Sequence, residues 1–158
     1  MTFEACREFV KAMEIHDTAI VAGSAHIGHA TRIGPGALIE EGVRVGRNCS
    51  IGAYAIIRQG CILGDEVQVD SFSVIGGDPQ SIGFDPSIVS HVVIGDRTIL
   101  REAVTINRAS AAGAQTVIGE DCFIMANAHV AHDCKLGKGV VLANNAMIAG
   151  HIEIGEKT

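Results

Sequence analysis

The stretch "NAHVAHDCKLG", residues 127–137, sets His129 and His132 three positions apart and puts Asp133 directly after the second histidine. A third histidine, His151, follows in the next stretch, preceded by Gly150. A histidine, with a reference pKa of about 6.5, is the usual general base for activating a weakly nucleophilic hydroxyl at neutral pH. A carboxylate on its other ring nitrogen would fix the tautomer and stabilise the imidazolium. Three histidines would also suit a zinc ion that keeps one open position, and Cys134 adds a thiol to the same string. The string does not separate these chemistries; the register of the whole chain does.

From Ile15 an aliphatic residue recurs every sixth position, through Val21, Ile27, Ile33, Ile39, Val45, Ile51, Ile57, Leu63 and Val69 to Ile75. The frame resumes at Ile94, Leu100 and Ile106, and again from Ile118 through Ile154. Six residues make one short strand and a turn, and three such units make a triangular coil of about eighteen residues, stacked about 4.8 Å from the next. The aliphatic residue points inward. So does the fourth residue after it, which is small: Ala19, Ala25, Thr31, Ala37, Val43, Cys49, Ala55, Cys61, Val67, Ser73, Cys122, Ala128 and Cys134. Four of the five cysteines therefore read as small core residues, and no cysteine nucleophile is expected. The architecture is all-β, a repetitive solenoid over 15–158, preceded by a segment 1–14 whose Phe3, Cys6, Phe9 and Val10 suit a short amphipathic helix.

Two insertions interrupt the repeat, at about 76–93 and 107–117. Insertions leave a solenoid core intact and project from it, so they are expected to carry function. Counting coils places Ala114 one turn before His132, which makes the second insertion overhang the histidines. It also places Gly150 over His132 and His151 over Asp133, so the three histidines cluster on one edge, with His129 and His132 both around a corner and facing outward. A glycine above His132 leaves the ring open and brings a backbone N–H near it, suited to an oxyanion. This arrangement fits a base with an orienting acid better than a zinc site, and no metal and no cofactor are expected.

Composition narrows the classes further. Aromatic residues are only 4% of a chain that is 47% hydrophobic, as a narrow core of small and branched residues requires. The net charge of −6 argues against nonspecific nucleic-acid binding, which neutralises phosphates with Lys and Arg. No apolar run reaches the roughly 18 residues that span a bilayer, and no signal-peptide pattern opens the chain. The expected setting is cytoplasmic.

Residues 127–151, "NAHVAHDCKLGKGVVLANNAMIAGH", resemble the active-site stretch of the UDP-N-acetylglucosamine O-acyltransferases of lipid A biosynthesis. "IGDRTILREAVTINRAS" (94–110) is similar to their "RE-x-VTI" segment, "GGDPQ" (76–80) to their "GG-x-PQ" loop, and "IHDTAIV" (15–21) also fits. The resemblance implies a left-handed parallel β-helix and a homotrimer with active sites between subunits. It implies transfer of a (hydroxy)acyl chain from acyl carrier protein to the 3-hydroxyl of UDP-N-acetylglucosamine, without an acyl-enzyme. His132 would be the general base, Asp133 its partner and the Gly150 N–H the oxyanion donor. His129, His151 and Gln80 would contact substrate. Where the family has Asp-Leu-Lys-Tyr after "PQ", this chain has Ser81, Ile82, Gly83 and Phe84. A different sugar acceptor, with N-acylation among the options, is therefore a second reading. The family continues with further coils and a helical domain beyond the point matching Thr158, so a shortened member is expected, and a non-catalytic sugar-nucleotide-binding solenoid is a third reading.

Overall fold

The structure, a computed structural model, describes residues 13–158. The helical segment expected over 1–14 falls outside these residues except for Met13 and Glu14, and Glu14 already belongs to the first strand. The described chain forms twenty-one short strands in three seven-stranded sheets, each sheet taking every third strand. All pairs are parallel, and the coil is the expected eighteen residues: Arg32 lies beside Ser50 and Ser50 beside Gln68. The three sheets are the faces of a triangular prism.

The interior is as the period predicts. Ile39, Ile57, Ile75, Leu100, Ile106, Ile124 and Val130 are fully buried, each worth about 1.5–3 kcal/mol by transfer from water. The small second inward position is filled by Ala37, Val43, Ala55, Val67 and Ala128, also fully buried. Where that position is polar it is satisfied by a carbonyl of the next coil: the Thr31 hydroxyl donates to Gly46 O at 2.8 Å and that of Thr98 to Gly119 O at 2.7 Å. Cys49, Cys61, Cys122 and Cys134 are free and buried, and burial pushes the Cys61 thiol up to about 12. None of the four is a thiolate at neutral pH, in line with their reading as core.

From Ala30 onward the corners without an insertion share one left-handed conformation. Among the described residues thirteen non-glycine residues have positive φ, and every one of them is the third residue after an inward aliphatic: Tyr54 after Ile51, Asp133 after Val130, His151 after Ile148. Left-handed backbone disfavours residues with a Cβ, so something must hold it. At nearly all of these corners the N–H donates to a carbonyl of the coil below, as in Tyr54 N to Pro35 O at 2.9 Å and His151 N to His132 O at 3.0 Å.

Both insertions leave from the same corner. Leu63 pairs with Ile94 and Ile94 with Ile118, separations that exceed eighteen. The projecting loops are shorter than the period alone indicates, 78–90 and 108–114. The ends of the insertions pair in the sheets, Gly77 beside Asn107 and His91 beside Gln115.

Stacked coils approach so closely that some glycines have no room for a side chain. A Cβ on Gly46 would lie 2.3 Å from the Gly64 carbonyl oxygen, whereas one on Gly23 meets nothing within 4 Å. Gly46→Ala is therefore expected to cost about 1–3 kcal/mol of stability, and Gly23→Ala to stay within about 0.5 kcal/mol. Thermal melts of the two variants check this contrast.

Candidate active site

His132 and Asp133 occupy the corner from which both insertions project. Asp133 is left-handed, with φ 60°, and this turns its carboxylate back onto the imidazole of the preceding residue. His132 Nδ1 lies 2.7 Å from Asp133 Oδ2, with both side chains largely buried. Nδ1 donates to the carboxylate, which leaves Nε2 as the basic nitrogen. Gly150 sits directly above: a Cβ there would be 2.7 Å from Cε1 and 2.8 Å from Nε2 of His132, so only glycine fits. His151 meets His132 edge-on with ring centroids 5.0 Å apart, and its Nε2 is 3.8 Å from Asp133 Oδ2. The coil count thus places Gly150 and His151 correctly.

His129 differs from expectation. It lies within the strand His129–Val130 rather than around a corner, and it is buried. As the residue before an inward aliphatic it points out of the prism, but Thr105 and Met147 flank it on the sheet. Its Nδ1 is 2.7 Å from the Thr105 hydroxyl. Burial holds this imidazole below its ordinary range, with the Thr105 contact opposing. His129 is therefore a neutral polar wall. It shares an open cleft of about 310 Å³ with Gln80, Ala131, His132, Met147 and Gly150. The structure gathers Gln80, His129, His132 and Gly150 around this cleft, while His151 is exposed on its outer side.

Residues 42–77 and 115–150 match the bacterial transferase hexapeptide (six repeats) model. The chain is 49% identical over 143 residues to an acyl-[acyl-carrier-protein]–UDP-N-acetylglucosamine O-acyltransferase from Xylella fastidiosa, covering 90% of this chain and 54% of that one. A solved UDP-N-acetylglucosamine acyltransferase from Bacteroides fragilis superposes with a TM-score of 0.84 at 36% identity, over 87% of this chain and 54% of that one. One from Campylobacter jejuni does so with a TM-score of 0.83 at 37% identity, over 90% and 56%. The chain is built from the hexapeptide repeats of bacterial transferases and is similar over about 90% of its length to UDP-N-acetylglucosamine O-acyltransferases. Its prism is the left-handed parallel β-helix of those structures. The chain spans about half the length of the curated relatives it matches.

Within this hexapeptide-repeat prism, two residues that the sequence reading does not single out organise the site. Arg108 is buried and holds the 78–90 loop from inside. Its Nε donates to Asp78 at 2.8 Å, its Nη2 to Pro86 O at 3.0 Å and its Nη1 to Ile88 O and Ser90 Oγ, while its guanidinium lies 5.0 Å from the Phe84 ring centre. Gln80 reaches the cleft on a loop fixed in this way. Ser110, in the second loop, donates its hydroxyl to Asp133 Oδ2 at 2.6 Å and its N–H to both carboxylate oxygens at 3.1 and 3.2 Å. Only the choice of a hydroxyl and a buried cation inside insertions hints at either role in the sequence.

Burial acts to raise the Asp133 carboxyl, but Ser110 and His132 donate to it and the balance falls below the usual carboxylate range. His132, Asp133 and His151 bring ligand atoms within 4.8 Å of one another, a set a cation could engage. The Asp133 oxygens already accept from His132 and Ser110, whereas His151, at 3.8 Å, makes no hydrogen bond to them.

Two outcomes follow from this geometry. Arg108→Ala is expected to raise amide exchange across 78–90 by at least about tenfold, because it removes several charge-assisted hydrogen bonds at once; exchange mass spectrometry reads it. Asp133 has a lowered folded pKa, so the stability it adds as an anion is present above the ordinary carboxylate range. That stability is lost only as pH falls through the lowered value. The stability difference between wild type and Asp133→Asn should therefore stay flat from pH 7 to about 4 and shrink below it, as denaturant titrations at stepped pH would show.

Proposed function

We propose that the chain transfers an acyl group from acyl carrier protein to the 3-hydroxyl of UDP-N-acetylglucosamine, the reaction named for its relatives and the first step of lipid A biosynthesis. The observation that carries the reading is the His132–Asp133 hydrogen bond beneath Gly150. Nε2 of His132 removes the proton of the acceptor hydroxyl as that oxygen attacks the thioester carbonyl. Asp133 keeps the proton on Nδ1 and stabilises the imidazolium. The Gly150 N–H donates to no group among the described residues, so it is available to the carbonyl oxygen as negative charge develops there. Collapse of the tetrahedral intermediate expels the carrier thiolate, which takes the proton back from His132. No acyl-enzyme is formed, consistent with the four cysteines among the described residues, each of them buried in the core.

His129 and Gln80 line the side of the cleft where the sugar would lie, and neutral His129 offers a hydrogen bond without a charge. His151 borders the outer rim. A homotrimer would close this open cleft with a neighbouring prism. The outer face of the sheet below His129 supports that reading, since Leu38, Ile56 and Val74 form an apolar column on it. Among the described residues no helix is long and apolar enough to cross a membrane, and free cysteines suit the reducing cytoplasm proposed as its compartment. Ser81, Ile82 and Gly83 sit exposed on the first loop without a charge, which favours testing related amino-sugar acceptors, including N-acylation, beside the parent sugar.

The deciding assay pairs acyl-carrier-protein thioesters with a panel of UDP-sugars. His132→Ala is expected to lower transfer by about 10²–10⁴-fold while sugar-nucleotide binding by calorimetry changes little. Undiminished transfer by the variant would remove His132 from the role of base. Binding without turnover by the wild type, across the whole panel, would favour a non-catalytic solenoid.

A further inference from the structure

Two histidines compete for one carboxylate oxygen. Asp133 Oδ2 lies 2.7 Å from His132 Nδ1 and 3.8 Å from His151 Nε2. A carboxylate flanked by two rings can rotate between two such partners. Only one of the pairings, that with His132, prepares the base.

Ser110 decides between them. Its hydroxyl and its N–H both reach the carboxylate, the N–H on both oxygens and the hydroxyl on Oδ2 itself at 2.6 Å. Both oxygens are thereby engaged and the plane of the group is fixed. Ser110 is itself held on each side. Arg108 N donates to Gly77 O at 2.8 Å, the buried Ala109 carbonyl accepts from the Ser90 hydroxyl, and Gly113 N donates to Val89 O at 2.8 Å. These contacts tie the second loop to the first. Asp133 is anchored at its own backbone too, where its N–H donates to Thr116 Oγ1 at 2.8 Å.

We propose that Ser110 is a positioning residue of the base: by anchoring the Asp133 carboxylate it commits that group to His132 and holds the imidazole as the Nδ1–H tautomer, with Nε2 open to the cleft. The inference rests on the reading of His132 as general base. Ser110 does not touch substrate. It acts through Asp133, and its effect falls on the chemical step rather than on binding.

The test uses Ser110→Ala, Ser110→Cys and Ser110→Thr in the full chain, with two independent readouts. The first is acyl transfer. Ser110→Ala and Ser110→Cys, which lose or weaken the donor at nearly constant size, are expected to lower kcat by about tenfold with KM within about twofold. Ser110→Thr, which restores the hydroxyl, brings kcat back to within about threefold. The second is imidazole nitrogen NMR with the His132 signals assigned through His132→Gln. Wild type and Ser110→Thr should show the Nδ1–H tautomer, and Ser110→Ala a mixture of tautomers.

Wild-type kcat in Ser110→Ala overturns the proposal, as does a rise confined to KM or an unchanged His132 tautomer. If the wild type transfers acyl groups to no acceptor, the proposed function fails, and the tautomer measurement still decides the role of Ser110 on its own.

Discussion

Everything in this protein depends on keeping one coil in register with the next. The strands are mostly two residues long, too short to pair stably alone, and the corners adopt a left-handed backbone that their side chains disfavour. What offsets both is the hydrogen bond from nearly every left-handed corner N–H to the carbonyl one coil below, together with the stacked aliphatic column inside. The repeat is thus held by neighbours rather than by any single unit. A residue's position in the six-residue frame fixes whether it points inward, outward or onto a corner.

That constraint explains what could be read without coordinates. Ile75, Ala128 and Cys134 declared themselves as core because period and residue size agree. Gly150 above His132 and His151 above Asp133 came from counting eighteen, which holds wherever no insertion intervenes. The count fails where insertions intervene. Ser110 and Arg108 lie inside or beside loops that have no period, so nothing in their spacing brings Ser110 to Asp133 or wraps residues 78–90 around a guanidinium. His129 was misplaced for a different reason. Its outward direction was correct, but its burial comes from Thr105, Met147 and the cleft, which a frame describing direction alone does not contain.

The three edges of the prism have taken on different chemistry. One carries the parallel stack of Tyr54 and Phe72, with ring centroids 5.7 Å apart. Another carries exposed ion pairs between coils, Arg47 with Asp65, Arg97 with Asp121 and Lys138 with Glu120. Such pairs are screened by solvent and contribute little stability each, but they match neighbouring coils along that edge. The third edge carries both insertions, the His132–Asp133 pair and the cleft. Rigidity from the whole column is delivered to the one edge where atoms must be placed closely.

At that edge the column is interrupted at Asp133. The carbonyl of Ala114, beneath His132 by coil count and the counterpart of Pro35 O below Tyr54, accepts from His91 N at 3.0 Å, and the Asp133 N–H turns to the Thr116 hydroxyl. Away from the two insertions each coil repeats the one below, and a gene could add or remove such coils by tandem duplication without disturbing the fold. Between Thr105 and Asp133 the copies are no longer interchangeable. Chain length in such a protein is free to drift at its ends over evolutionary time, whereas this single seam must be inherited whole.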